Sequence, residues 1–111
     1  DYGLVKIPVA DASKAQVIEM LDSGFAGFDG MVITDSGNVV GVTNNGTTPG
    51  GNTLVELAGK KDWGAAKLVN SKGMTASTTV AITPDNGRDV INQDFSNSTP
   101  ASWTIERIVF K

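Results

Sequence analysis

Apolar residues follow a helical period before Gly30 and an extended period after it. In the N-terminal part, Ser13 suits an N-cap and Gln16 stands where a capping box needs a glutamine. Three apolar residues then lie on one helical face: Val17, Ile18 and Leu21. This pattern predicts one short helix from about Lys14 to Ser23.

Short extended segments account for most of the remaining pattern. Ahead of the helix, GLVKIPV alternates in polarity and predicts a strand that stops at Pro8. Turn residues at 35–37 and 84–87 separate β-branched runs and predict two hairpins. The segment TLVEL fits either a strand or a single helical turn, and 65–69 is expected to be extended. Together these segments give about seven or eight short strands, a spacing typical of a sandwich or barrel.

The last ten residues, SWTIERIVFK, form the most strand-like run of the chain. Trp103 and Ile105 fall on odd positions, whereas the later apolar residues fall on even ones. A regular strand would therefore carry apolar side chains on both faces and would need both faces covered, as in a central strand under a helix or a partner subunit. A β-bulge near Glu106 and Arg107 would restore a single apolar face. We favour the bulge, with Trp103 in the core.

The composition favours turns and strands over helices. The chain contains 13 glycines, together with frequent Asn, Ser and Thr. Its 111 residues give room for one domain. We therefore predict a single domain over 1–111 that is mostly β, a jelly-roll or immunoglobulin-like β-sandwich with one short N-terminal helix.

Several chemistries are removed by residues that the chain lacks. It has no cysteine and no histidine, which leaves no thiol nucleophile and no imidazole base or ligand. Its formal charge of −3 argues against nucleic acid as a partner, and no apolar run is long enough to span a membrane. The three glutamates lie on too short a chain to build a deep glycosidase cleft. We expect a non-catalytic protein without an obligatory cofactor.

An acid and amide group near the C-terminus is a candidate metal site. The segment TPDNGRDVINQDF contains five such side chains: Asp85, Asn86, Asp89, Asn92 and Asp94. Oxygen ligands of this kind suit calcium. A structural calcium held by Asp85, Asp89 and Asp94 therefore stands beside the simpler interpretation, in which these are turn residues and solvated side chains.

Trp63 is the candidate for ligand binding. It follows Lys61 and Asp62 and precedes Gly64, a polar, turn-like context in which we expect the indole to be exposed. Tryptophan faces stack on sugar rings, so we predict that Trp63 binds a carbohydrate together with the neighbouring polar residues Lys61 and Asp62. The alternative is an aromatic side chain that packs over a loop.

The ending SWTIERIVF resembles the closing strand of jelly-roll carbohydrate-binding modules. The resemblance implies a non-catalytic module that binds a carbohydrate. It also implies that Thr104 faces the sugar and that Glu106 helps to hold a structural calcium. The N-terminal helix is not expected in that family, and no matching opening strand is present.

The composition is also similar to that of small structural subunits, such as phage capsid decoration or fibre proteins and extracellular filament subunits. In such a protein the partner is a copy of itself, and exposed apolar residues lie at subunit contacts. Residues 3–9 would then be an exchanged strand or arm. Carbohydrate binding is the leading hypothesis and self-assembly the alternative, and both place the protein outside cells or on a virion surface.

Overall fold

The protein is built mostly of β-strands, as the composition predicted. The computed structural model describes residues 3–22, 27–44, 51–93 and 103–110. Within these ranges the strands are β1 Val5–Lys6, β2 Gln16–Val17, β3 Glu19–Met20, β4 Phe28–Ile33, β5 Val39–Asn44, β6 Asn52–Lys60, β7 Ala65–Gly73, β8 Ser77–Ile82, β9 Arg88–Asn92 and β10 Thr104–Ile108.

The predicted helix from about Lys14 to Ser23 is wrong for the residues that the structure describes, which run to 22 at this point. A single 3₁₀ turn, Ala12–Lys14, lies where the helix was expected to begin. Its N-cap is Asp11, whose carboxylate accepts a hydrogen bond from the Ser13 N–H at 3.1 Å. Ala15 then adopts an extended conformation with ψ of 135°, which ends the turn.

Pairing with distant segments explains why no helix continues beyond this turn. The Ile18 N–H donates to the Leu4 carbonyl, and the Leu21 N–H donates to the Ala66 carbonyl, each at 2.9 Å. These bonds replace those of a helix. Val17 and Ile18 are β-branched and have modest helix propensity, so the capping pattern alone was too weak to hold the segment helical.

The strands form three sheets. One has five strands in the order β3-β7-β6-β5-β4, one has three in the order β10-β9-β8, and β1 pairs with β2 alone. The pairs are antiparallel except that of β3 with β7. Both predicted hairpins are confirmed, as β4 with β5 and β8 with β9. The segment TLVEL is part of strand β6, and 65–69 is part of β7.

Apolar side chains pack on both faces of the five-stranded sheet. On one face a buried cluster joins it to the three-stranded sheet through Val40, Val42, Leu54, Val80, Val90 and Ile108. On the other face a second cluster joins it to the N-terminal segment through Leu4, Ile18, Val39, Leu57 and Ala66. The N-terminal segment is therefore part of the core.

Strand β4 passes very close to β8. A Cβ added at Gly30 would lie 2.8 Å from the Thr79 Cα and 2.7 Å from its Oγ1. Only glycine permits this approach of one backbone to the other. The contact brings an edge of the five-stranded sheet onto the three-stranded sheet.

Strand β10 has no bulge, so the prediction of one near Glu106 and Arg107 is wrong. The strand pairs with β9 in unbroken register from Thr104 to Ile108. Ile108 is 4% exposed, whereas Ile105 on the opposite face is 72% exposed. The change of phase in the sequence therefore marks two genuine faces, of which only one packs into the core.

Candidate functional site

The turn that carries Trp63 has an unusual backbone. Lys61, Asp62 and Trp63 have φ values of 51°, 53° and 61°, so three successive residues with side chains lie in the left-handed region. Each such residue costs about 1–2 kcal/mol relative to the right-handed conformation. The Gly64 N–H closes the turn by donating to the Lys61 carbonyl at 3.0 Å. The cost implies that side-chain contacts fix the turn.

Trp63 supplies one of those contacts. Its indole lies over Gly59 on strand β6, where an added Cβ would clash with the ring. The ring also packs against the second core cluster and is only half-exposed. Its position agrees with the alternative of an aromatic packed over a loop, although part of the ring remains available to a ligand.

An ion pair joins the same turn to the N-terminal segment. Lys6 Nζ lies 2.7 Å from Asp62 Oδ2 and 2.6 Å from the Asp62 carbonyl oxygen. The hydrogen bond from Lys6 and the positive charge of Lys6 lower the pKa of Asp62. Lys6 and Asp62 therefore fix strand β1 beside the turn.

A groove of about 650 Å³ lies between the N-terminal segment and the β4–β5 hairpin. Its lining is almost entirely apolar, and Met31 and Ile33 on β4 are exposed within it. The lining consists of Gly3, Leu4, Val5, Lys6, Ile18, Met31, Ile33, Gly37, Val39 and Trp63. Such a surface suits an apolar ligand or the face of a ring, and Lys6 is the one charged residue among those that line it.

The groove gathers only part of the predicted ligand set. Trp63 lines it, and Lys61 and Asp62 precede Trp63 in the same turn. Thr104 does not line it and stands at the start of β10 in the other large sheet. No local pattern indicated that Met31 and Ile33 would lie beside Trp63, because that proximity depends on the fold.

A second hollow, of about 570 Å³, lies between the two hairpin turns. Its lining is more polar than that of the groove. It consists of Ile33, Asp35, Ser36, Ile82, Thr83, Pro84 and Asn86. The two turns are thus neighbours in space, on the side of the molecule where β4 approaches β8.

Two residues of the predicted calcium set converge on an arginine. Arg107 donates to both carboxylate oxygens of Asp89, from Nε at 2.7 Å and from Nη2 at 2.9 Å. Its Nη1 also lies 3.5 Å from Asp85 Oδ2. The hydrogen bond and charge of Arg107 lower the pKa of Asp89, and the two acids raise the pKa of Arg107. The guanidinium supplies the positive charge between these carboxylates.

The other two residues of that set do not join them. Glu106 pairs instead with Lys72 on β7, at 3.2 Å, and points away from Arg107 because the two residues are adjacent in a strand. Asp94 lies outside the described residues. Among the residues that the structure does describe, no three His, Cys, Asp or Glu side chains are grouped to hold a metal. A structural calcium stays a prediction.

An apolar patch covers the outer face of the three-stranded sheet. Ile105 pairs directly with Ile91 of β9, and Trp103 lies two residues before Ile105 on the same face of the chain. Trp103 is 46% exposed, so the prediction that it belongs to the core is wrong. Val109 is exposed as well, but the Asp89–Arg107 pair separates it from Ile105. The odd-numbered phase of SWTIERIVFK was the pattern that could have revealed this face.

A buried ion pair that the sequence analysis missed links the two large sheets. Glu56 on β6 and Arg88 on β9 are both buried, with Arg88 Nη2 donating to Glu56 Oε2 at 2.9 Å. Asn38 and Asn70 donate to the same carboxylate at 2.9 Å and 3.2 Å. Burial raises the pKa of Glu56, but these hydrogen bonds and the charge of Arg88 outweigh it and lower the pKa. Glu56 therefore remains ionised inside the protein.

Arg88 makes two further contacts besides its ion pair with Glu56. One guanidinium nitrogen donates to the Asn86 carbonyl, and the guanidinium carbon lies 5.2 Å from the centre of the Phe110 ring. In the sequence, Glu56 is the lone charged residue in TLVEL, two positions after the buried Leu54. Its position on the same face of the strand as Leu54 could have indicated that Glu56 is buried.

Comparisons of the chain with protein-family models, with curated proteins and with solved structures find no match. Within the described residues, no helix has the length and apolar character to cross a membrane.

Proposed function

We propose that this protein is a non-catalytic structural subunit that assembles with copies of itself. The observation that carries the proposal is the apolar patch on the outer face of the three-stranded sheet, formed by Trp103, Ile105 and Ile91. A contiguous apolar surface on a small domain is typical of a protein contact. The class of protein is that of capsid decoration, fibre and extracellular filament subunits, which places it outside cells or on a virion surface.

The patch has the composition of an interface. Its centre holds a tryptophan and isoleucines, and the Asp89–Arg107 pair lies beside it. Aromatic and branched side chains at the centre with charged groups at the rim resemble a standard interface. Burial of the Ile105 side chain alone would contribute roughly 1.5–3 kcal/mol. Because association costs at least about 4 kcal/mol in lost translational and rotational freedom, the contact has to bury the other apolar residues of the patch as well.

The N-terminal segment offers a second apolar surface. Val5, Ile7, Val9 and Val17 are all exposed, while Leu4 and Ile18 hold the segment to the core. Two residues of β1 pair with two of β2. In an assembly this segment is suited to act as the exchanged strand or arm that residues 3–9 were predicted to form.

The fold that belongs to this proposal is a β-sandwich. The shared core cluster of the two large sheets supports it. Neighbouring strands from β4 to β7 and from β8 to β10 are consecutive in the chain. Jelly-roll and immunoglobulin-like sandwiches interleave strands through Greek-key connections. The strand order therefore favours two successive meanders over either of those types.

A charge placed on the patch tests the proposal. Ile105→Lys should weaken association strongly, because a buried ammonium group would lose its hydration. The measurement is sedimentation velocity of wild type and variant over a wide range of chain concentration. Val69→Lys is the matched control, since Val69 is also exposed but lies on β7. If all three proteins associate equally, the patch is not part of the contact between copies.

Carbohydrate binding is a second proposal, supported by the groove that Trp63 lines. The half-exposed indole offers a face for a sugar ring, and the Lys6–Asp62 pair offers polar groups at the same place. A structural calcium at Asp85 and Asp89 belongs to this proposal as well.

The glycan test needs a variant that leaves the turn intact. Trp63→Ala would remove a ring that packs over Gly59, so a loss of binding could reflect a loss of folding. Met31→Lys changes an exposed groove residue instead, with Val69→Lys as control. If the groove binds sugar, retention of wild type on an insoluble glycan should fall for Met31→Lys alone. No retention of wild type on any glycan tested would contradict the proposal.

A further inference from the structure

We propose that β10 of one copy pairs with β10 of a second copy, antiparallel and across a twofold axis at Ile105. The inference rests on the proposed self-assembly and names its contact. Pairing in this way would join two three-stranded sheets into one continuous sheet. It would also place the two apolar patches side by side on one face of the joined sheet, so that each Ile105 contacts its counterpart and further copies can cover the rest of that face.

The position of β10 in its sheet makes such pairing available. It is the outermost strand in the order β10-β9-β8, so among the described strands only β9 pairs with it. An edge strand presents a row of backbone groups that can pair with another chain. The described strand contains no proline, and its register with β9 is unbroken.

Two other edge strands, β4 and β8, are less available because they lie against each other. At β4, the backbone near Gly30 lies against Thr79 of β8, which brings the other large sheet close to it. β3 has only two residues. β10 therefore offers an edge of five residues that, among the described strands, is paired on one side only.

Repulsion between like charges disfavours two of the possible registers of the pairing. In a twofold antiparallel pair, the residue on the axis faces its own counterpart in the other copy. An axis at Glu106 would oppose two carboxylates, and an axis at Arg107 would oppose two guanidinium groups. Like charges directly opposite each other destabilise a sheet. An axis at Ile105 opposes two isoleucines that are 72% exposed in the single copy.

The same register brings complementary groups together on either side of the axis. Trp103 of one copy would face Arg107 of the other, and Thr104 would face Glu106. Arg107 is held by Asp89 but keeps half of its side chain exposed, so one face of the guanidinium is open to an indole ring. Because these pairs are equivalent across the axis, the surface fits a copy of itself.

The absence of cysteine gives a direct test of this register. Single-cysteine variants of the full chain carry one thiol each, since the wild type has none. Residues on the axis have Cα atoms about 5.5 Å or less apart, within the range of a disulfide. Ile105→Cys should therefore form a disulfide-linked dimer rapidly under mild oxidation. Non-reducing gel electrophoresis measures the rate.

Two control variants separate strand pairing from random collision. Glu106→Cys is one position away and would be on the axis of the competing register. Ile91→Cys is exposed on the same face but lies on β9, away from the axis. Both should link much more slowly than Ile105→Cys. Equal or faster linking of either control would overturn the proposed pairing, and so would failure of Ile105→Cys to link.

The outcomes distinguish this inference from the proposed function. If the wild type sediments as an oligomer while Ile105→Cys fails to link, self-assembly stands and its contact lies elsewhere. If the wild type is a monomer at every concentration, both fail. A circular dichroism spectrum and a melting curve for each variant verify that it is folded before oxidation.

Discussion

The buried charges of Glu56 and Arg88 form an ion pair between the two large sheets. Each contributes an ionised group to the interior, and each is compensated by the other and by neighbouring amides or carbonyls. A buried charge that loses its partner is far more costly than an exposed one. The pair therefore links β6 of the five-stranded sheet to β9 of the three-stranded sheet.

Glu56→Gln should destabilise the fold by about 3–5 kcal/mol, because it leaves the Arg88 charge buried without a counterion. Urea denaturation followed by circular dichroism measures the change. The control is Glu106→Gln, which breaks the more exposed pair with Lys72 and should cost no more than about 1 kcal/mol. Equal effects of the two substitutions would show that Glu56 is not held as the structure describes.

A double substitution tests whether the cost comes from the unpaired charge. Glu56→Met with Arg88→Met removes both charges and leaves apolar side chains of similar length. Such replacements are often neutral or stabilising by about 1–4 kcal/mol. We expect the double variant to be more stable than Glu56→Gln. If it is less stable, the hydrogen bonds of the pair contribute more than its charges cost.

The pH dependence of stability follows from the lowered pKa of Glu56. A carboxyl whose pKa is lower in the folded state stabilises the fold fully above its unfolded pKa, about 4.3 for glutamate. That contribution is lost as the pH falls through the folded pKa. Asp62, Asp85 and Asp89 have lowered pKa values as well and act in the same direction.

We therefore expect the free energy of unfolding to decrease below about pH 5. The double variant Glu56→Met with Arg88→Met should lose less stability over the same range, since it lacks the buried carboxyl but keeps the aspartates whose pKa values are lowered. Urea denaturation at a series of pH values measures both slopes. Identical slopes would mean that Glu56 does not contribute to acid sensitivity.

Among the strands, β4 approaches β8 so closely that a larger residue at Gly30 should destabilise the fold. Gly30→Ala would place a methyl group 2.8 Å from the Thr79 Cα, and backbone cannot move aside easily. We expect a destabilisation of about 1–3 kcal/mol, as for other overpacked positions. Chemical denaturation of the variant measures it.

Gly73→Ala is the control for that substitution. Gly73 also lies in a strand, but an added Cβ would meet nothing within 4 Å. Its substitution should leave stability unchanged or raise it by about 0.5 kcal/mol. A Gly30→Ala variant as stable as Gly73→Ala would contradict the close approach of the two strands.

Hairpins were predictable because their turn residues are local. The turns at 35–37 and 84–87 carry glycine or proline where the backbone needs them, and both hairpins formed. The N-terminal helix was not predictable in this way. Ile18 and Leu21 hydrogen-bond to Leu4 and Ala66, and the second of these partners is far along the chain. A local capping pattern cannot anticipate a distant pairing.

The candidate sites show the same limit. Trp63 was selected from its polar context, yet its packing over Gly59 and its place beside Met31 depend on the sheet. For β10, the sequence did contain the two-faced pattern. Its interpretation as a bulge failed because β10 pairs with β9 in unbroken register, which leaves the odd-numbered face exposed. The exposed face of Trp103 and Ile105 is what a contact between chains would cover.

At the scale of the whole molecule, the proposed function depends on association of copies. A single chain has a mass of 11.5 kDa, and its small net charge offers little repulsion between copies. The most direct test is the molar mass of the wild-type particle, measured by light scattering as it elutes from a size-exclusion column. If copies associate through the patch, the mass is a multiple of the chain mass, and Ile105→Lys reduces it. A mass of one chain at every concentration loaded would contradict the proposed function.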